Sequence, residues 1–194
     1  PAQNKVQKVK HHAAIAIDEA PGFVRLLQGK ASVGARAFEL CILTATRTSE
    51  TLEARWREFD LVQGVWTISG DRMKMGVAHR VPLSQRAIEI LDEMRALRRE
   101  DDYVFPGAKS GRPLSNMVFL MLLRKLGRDD ITAHGFRSTF RDWCAERTEV
   151  LGEVAEAALA HAVGSKVEAA FRRGDLFDKR RDLMARWAQF LAAH

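Results

Sequence analysis

The chain has little of several residue types that define whole protein classes. Two cysteines, Cys41 and Cys144, occur in 194 residues. They are too few for a disulfide framework, and they read as small core hydrophobes of an intracellular, cytoplasmic protein. No apolar run approaches the roughly 18 residues of a transmembrane helix, so no membrane partner is expected. The first ten residues, PAQNKVQKVK, lack the apolar core of a signal peptide. No low-complexity tract appears. There is one tyrosine, Tyr103, beside ten phenylalanines and four tryptophans.

What is present is enough for a packed domain. The chain is 46% hydrophobic and 29% charged, which excludes a disordered chain. At this length folding buries about 70% of the unfolded surface, so no metal or disulfide staple is required. Lys and Arg number 31 against 25 Asp and Glu, a net charge of +6. That surplus points weakly toward a polyanionic partner. Because the chain begins at Pro1, it is expected to be a piece of a longer protein.

Residues 1–30 read as a basic linker (Lys5, Lys8, Lys10) leading into a short helix broken at Pro21-Gly22. The spacing of Val33, Ala37, Leu40, Cys41 and Leu43 predicts a helix over 33–44. The hydroxyl-rich run ATRTSE interrupts it, and Thr48 or Ser49 is placed to cap a second helix through Trp56. GVWTISG and HRVPLS read as antiparallel strands, with Lys74 near the turn between them. Ser84 is positioned to cap a helix carrying Ile88, Leu91 and Met94. YVFPGAKSGRPLS is a loop. Helices are predicted over 116–126, 134–146, 153–162 and 178–192. The last carries Leu183, Met184, Trp187, Phe190 and Leu191 on one stripe, facing its own domain or a neighbouring protomer. The fold class is α+β, mainly α, with one small antiparallel sheet.

Five positions stand out as chemistry. In HGFRSTFRDW, Phe136, Phe140 and Trp143 form the buried stripe, while His134 and Arg137 share another face. A histidine and an arginine at a helix start suit an oxyanion or phosphate, or are simply a surface pair. Arg47 lies among apolar and hydroxyl residues and needs a partner, which Glu50 supplies. His161 ends an apolar helix, and Lys74 sits in a hairpin. Each alone has a structural reading. His11 and His12 read as exposed linker. No histidine and cysteine spacing fits a metal site, and no cofactor is expected. Together, two arginines, two histidines and a lysine are a set able to neutralise and protonate a phosphodiester without a metal.

With these motifs assembled, the chain resembles the catalytic domain of the tyrosine recombinases, in the branch of phage and genomic-island integrases. ATRTSE resembles the box around the first arginine. RMKMGVAHRVPLS resembles the hairpin-lysine segment, and YVFPG the loop after it. HGFRSTF resembles the His-x-x-Arg box, ALAH the third-box histidine, and EAAFRRGDLFDKRRDLMARW the nucleophile segment with the closing helix. The resemblance covers about residues 30–192, and it implies a catalytic domain over 31–194. It further implies that Arg47 and Arg137 clamp the scissile phosphate. His134 would assist as general base or phosphate donor, and His161 would hydrogen-bond the phosphate. Lys74 would protonate the leaving 5′ oxygen, and Glu50 would brace Arg47. Arg72, Arg172 and Arg173 are expected to contact DNA. The implied partners are double-stranded attachment sites, a tetrameric synapse of copies, and accessory DNA-bending proteins. The family's core-binding and arm-binding domains do not fit in the thirty residues before the catalytic domain.

One position departs from the pattern. The family's nucleophilic tyrosine is matched here, ten residues after His161, by Phe171. Phenylalanine has no oxygen to attack phosphorus. The chain is therefore expected to bind DNA without cleaving it. An engineered Tyr→Phe change, a natural non-cleaving relative and a sequence error or displaced nucleophile all remain open. A DNA-binding regulator on the same fold is the alternative function. After Phe171 the tail carries six cations (Arg172, Arg173, Lys179, Arg180, Arg181, Arg186) against three carboxylates, and it is expected to meet phosphates.

Overall fold

A computed structural model describes residues 13–100, 102–161 and 174–193. Among these the helices are α1 (Ala20–Gln28), α2 (Val33–Thr44), α3 (Thr48–Leu52), α4 (Gln85–Arg95), α5 (Val118–Lys125), α6 (Gly135–Arg147), α7 (Gly152–Ala158) and α8 (Phe177–Ala192). The strands β1 (Phe59–Asp60), β2 (Val65–Ile68) and β3 (His79–Pro82) form one antiparallel sheet in the order β1-β2-β3. The α+β, mainly helical expectation holds. Ser32 and Ser84 cap α2 and α4, accepting from the amides of Ala35 and Ala87 at 3.2 and 3.3 Å.

Helix α2 is the central element. Gly34, Ala35 and every residue from Ala37 to Thr44 are buried, as suits a helix surrounded by α1, α4, α5 and α8. One charge on it is fully buried. Glu39 accepts from Arg86 Nε at 2.8 Å, Arg36 Nη1 at 3.2 Å and Gln28 Nε2 at 2.8 Å. These donors come from α4, α2 and α1, so one carboxylate joins three helices. A buried charge is tolerated only when its hydrogen bonds are satisfied in this way.

The predicted boundary at residue 30 does not mark the edge of the packed unit. Ile15, Ala20, Phe23, Val24 and Leu27 are buried in the same core as α2. The lead-in segment also joins α6. The Ala13 carbonyl accepts from the Thr132 amide at 3.0 Å, and the Ile15 carbonyl from Thr139 Oγ1 at 2.7 Å. A Cβ on Gly135 would lie 2.2 Å from the Ala13 carbonyl oxygen, so only glycine permits this approach. His11 and His12 lie outside the described residues.

The helix predicted from Thr48 through Trp56 is shorter. α3 ends at Leu52 because the following backbone turns to residues 102–104. The Ala54 carbonyl accepts from the Val104 amide, and the Trp56 amide donates to the Asp102 carbonyl, both at 2.9 Å. The residue preceding α3 is Arg47, and the Glu50 carboxylate accepts from its amide at 2.8 Å.

The stripe on α8 packs on its own chain. Leu183, Met184, Trp187 and Leu191 are at most 2% exposed. Trp187 stacks on Phe190, meets Phe140 edge-on and Trp143 at a tilt, and donates to the Ile42 carbonyl at 2.9 Å. Both cysteines are buried, and burial pushes Cys41 up to about 11 and Cys144 up to about 12. No described helix is long and apolar enough to cross a membrane. Trp187→Ala removes the largest side chain between α8 and α2, and it is expected to cost about 3–5 kcal/mol in urea unfolding. A loss under about 1 kcal/mol would show that α8 is not part of the core.

Candidate active site

Arg47 and Glu50 lie at the start of α3, His134 and Arg137 at the start of α6, and His161 just after α7, three stretches far apart in sequence. The fold brings them together at the amino end of α3. Arg47 and His134 line one open cavity of about 500 Å³, with Thr48, Ser49, Pro113, Leu114 and Asn116 around them. Glu50, itself 3% exposed, holds Arg47 twice. One carboxylate oxygen accepts from the Arg47 amide and the other from its Nη1 at 2.6 Å. The guanidinium stays partly exposed at the cavity.

Arg137 is the most buried cation of the set, 5% exposed. Its Nη1 donates to the Ala45 carbonyl, and its Nη2 to the Leu159 carbonyl at 2.7 Å. The first acceptor lies after α2 and the second after α7. Ala45 takes a left-handed conformation with φ of 50°, which costs a non-glycine residue about 1 kcal/mol or more. Arg137 makes no ion pair among the described residues. Burial, and then the neighbouring Arg47 charge, pull its pKa down to about 10. Two guanidinium groups held close, one of them buried, make a site that an anion would relieve.

His161 joins this pair through its ring. Its Nε2 lies 3.2 Å from Arg137 Nη2, and its Nδ1 lies 2.7 Å from Glu156 Oε2. A guanidinium only donates and a carboxylate only accepts. Together they assign the ring proton to Nδ1, with Nε2 accepting. Glu156 is then braced by Arg141 Nε at 2.5 Å. Ala160, just before the histidine, is also left-handed, with φ of 49°. The sequence reasoning missed Glu156. It lies five residues before His161, a spacing that is not a helical face, and the two meet because the chain leaves α7 at that point.

Of the hydroxyls in the run ATRTSE, Thr48 and Ser49 border the cavity, whereas Thr46 is internal support. Thr44 and Thr46, and Thr46 and Thr51, pair through their hydroxyls at 2.8 Å. All three are buried, and they tie the end of α2 to the turn after it and to α3.

Lys74 is exposed in the turn between β2 and β3, after the buried Met73. Arg72, expected to face DNA, instead turns inward. It pairs with Glu58 and donates through Nη2 to the Glu50 carbonyl at 2.6 Å. The DNA-contact expectation for Arg72 is corrected on that ground. The basic tail is also partly spent on structure. Arg180 is 1% exposed and donates to Asp175 Oδ2, to the Asp175 carbonyl and to the Arg80 carbonyl at 2.7, 2.8 and 2.5 Å. Phe171, Arg172 and Arg173 lie outside the described residues. Tyr103 is engaged elsewhere, its hydroxyl accepting from Arg55 Nη2 at 2.8 Å.

His79 on β3 was not singled out from sequence. Burial first, and the Arg180 charge second, push it down to about 4, so it stays neutral. No group of three His, Cys, Asp or Glu side chains that could hold a metal occurs among the described residues.

Residues 18–172 match the Phage integrase family. The chain belongs to the phage integrase family. It is 33% identical to the prophage integrase IntA of Escherichia coli K12 over 196 residues, covering 99% of this chain and 47% of that protein. It is 30% identical to the integrase of Enterobacteria phage P4, covering 95% of this chain and 46% of that protein. The chain thus spans about half the length of these curated relatives. Among solved structures, the integrase of mycobacterium phage Brujita superposes with a TM-score of 0.67 at 18% identity, over 96% of this chain and 63% of that one. XerA recombinase superposes with a TM-score of 0.60 at 16% identity, over 87% of this chain and 64% of that one. At these identities the two superpositions establish a shared fold alone.

Glu156 supplies a pH test. Burial alone would raise its pKa, but the hydrogen bonds from Arg141 and His161 outweigh burial and lower it from the ordinary 4.5. A depressed carboxylate stabilises the fold above its unfolded value and loses that contribution as pH falls through the folded value. Glu156→Gln is therefore expected to lose less stability than the parent between pH ~5 and ~3, followed by denaturant unfolding at each pH. Parallel losses would remove the carboxylate from this role.

Proposed function

We propose that this chain is the catalytic part of a site-specific DNA recombinase that integrates or excises mobile DNA, here in a form that binds DNA without cutting it. The observation that carries the reading is Arg137, a buried cation with carbonyl partners, no described ion pair and Arg47 beside it. A phosphodiester offers two non-bridging oxygens and a negative charge, which suit two converging guanidinium groups. His134 borders the same cavity as Arg47, and His161 touches Arg137.

In the proposed reaction a tyrosine oxygen attacks the scissile phosphorus, and the bond from phosphorus to the 5′ oxygen breaks. The product is a 3′-phosphotyrosine and a free 5′ hydroxyl. Arg47 and Arg137 neutralise the charge that builds on the non-bridging oxygens. His161 takes up a second proton on Nε2 as the phosphate arrives and donates it to a phosphate oxygen, and His134 serves as general base or phosphate donor. Lys74 gives its proton to the leaving oxygen. With Phe171 at the nucleophile position the first bond cannot form. The same residue favours the second reading, a DNA-binding regulator on this fold, and the identity of position 171 in the natural gene separates the two. The full protein is proposed to act as a tetrameric synapse on double-stranded attachment sites, with DNA-bending partners.

Phe171→Tyr is expected to give a covalent protein–DNA adduct on a nicked attachment-site duplex, seen as a slower band in denaturing gels. Absence of the adduct on the correct site would overturn the nucleophile assignment. The parent chain is expected to bind duplex DNA with a log–log salt slope that steepens by about 0.9 for each phosphate neutralised. Affinity unchanged between low and moderate salt would count against phosphate-led binding.

A further inference from the structure

The contacts of Arg72 link two parts of the site, the turn that carries Lys74 and the Glu50–Arg47 pair. Arg72 closes the 3-10 turn Gly70–Arg72, two residues before Lys74. Its Nη2 donates to the Glu50 carbonyl at 2.6 Å, and its Nη1 pairs with Glu58. Glu58 is itself fixed, accepting from Trp66 Nε1 at 3.0 Å and from the Arg55 amide at 3.2 Å. Glu50 is fixed by its two bonds to Arg47. The guanidinium is thus a rigid fork with one arm on the 3-10 turn that leads into β1 and the other on the residue that holds Arg47.

Stability alone does not account for this arrangement. Arg72 Nε is buried with no partner among the described residues. A buried charge with an unsatisfied N–H costs free energy, and an apolar side chain of similar volume would avoid that cost. What the fork supplies is position. The turn it holds is also closed at its base, where a Cβ on Gly70 would lie 2.5 Å from the Gly76 carbonyl oxygen. Buried Met73 pins one side of the turn, and exposed Lys74 follows at once.

We propose that Arg72 is a positioning residue. It tethers the Lys74 turn to the Glu50–Arg47 phosphate clamp and so sets the approach of the acid to the leaving 5′ oxygen. The proposal rests on the recombinase reading above and adds a residue that touches neither DNA nor the reacting atoms.

The test uses the whole chain carrying Phe171→Tyr, with Arg72→Met and Arg72→Lys added separately, and Lys74→Ala as control. Single-turnover cleavage is measured on an ordinary nicked duplex and on one with sulfur replacing the 5′ bridging oxygen. In the second, the tyrosine oxygen forms its bond to phosphorus while the P–S bond breaks. The thiolate leaves without a proton, so the acid is not needed. Arg72→Met is expected to slow cleavage of the ordinary substrate about 100-fold, as a displacement of about 1 Å would. On the sulfur substrate it is expected to match its parent, as Lys74→Ala does, with DNA affinity unchanged. Arg72→Lys keeps the charge but lacks the fork, and it is expected to fall between. Equal slowing on both substrates, or no slowing on either, overturns the tether.

A Phe171→Tyr parent that cleaves neither substrate, or a Lys74→Ala control that sulfur does not rescue, defeats the recombinase reading instead. The tether is then judged by amide exchange without DNA. Arg72→Met is expected to speed exchange over residues 70–78 and to leave α2 and α8 unchanged. Unaltered exchange over 70–78 overturns the proposal.

Discussion

The site depends on one buried cation. Arg137 is 5% exposed and is held by two carbonyls that belong to different parts of the chain, Ala45 after α2 and Leu159 after α7. Neutral carbonyls orient a guanidinium without cancelling its charge. A carboxylate in the same place would have made a closed ion pair, with nothing left for an incoming anion. Holding the charge open carries a cost, visible in the depressed pKa of Arg137 and in the left-handed backbone of Ala45. The rest of the core offsets that cost. The aromatic packing of Phe140, Trp143 and Trp187 fixes α6, from which Arg137 projects.

Around that cation the carboxylates have separate tasks. Glu50 orients Arg47, and Glu156 orients His161. Glu58 anchors Arg72 on the turn that leads into β1, and Glu39 locks α1, α2 and α4 together. Each accepts several donors at once. The net charge of +6 therefore understates the organisation. Many of the cations are paired and structural, and the cavity is served by those whose charge stays partly free. Arg180 and Arg72 show how a count of basic residues misleads, since both are basic, near the site in sequence, and turned inward.

Much of the architecture was legible from periodicity and capping. The stripes on α2 and α8, the Ser32 and Ser84 positions, and the change of period at residues 65–82 all survive in the fold. The exceptions have a common cause. The end of α3, the role of residues 13–28 and the inward turn of Arg72 each depend on backbone or side-chain partners far away in sequence. Ala54 pairs with Val104, Ala13 with Thr132, and Arg72 with Glu50. A local pattern carries no record of such partners.

By itself the sequence determined the family, the ordered set of Arg47, Lys74, His134, Arg137 and His161, and the phenylalanine at 171. These are statements of residue identity and spacing, and identity decides which chemistry is available. Only the tertiary structure decided which cations face the cavity and which are spent on carbonyls and carboxylates. It also decided that Glu156 holds His161 and that α8 packs on its own chain. The physical reason is that charge acts through distance and burial, and both are set by contacts between residues the chain keeps far apart.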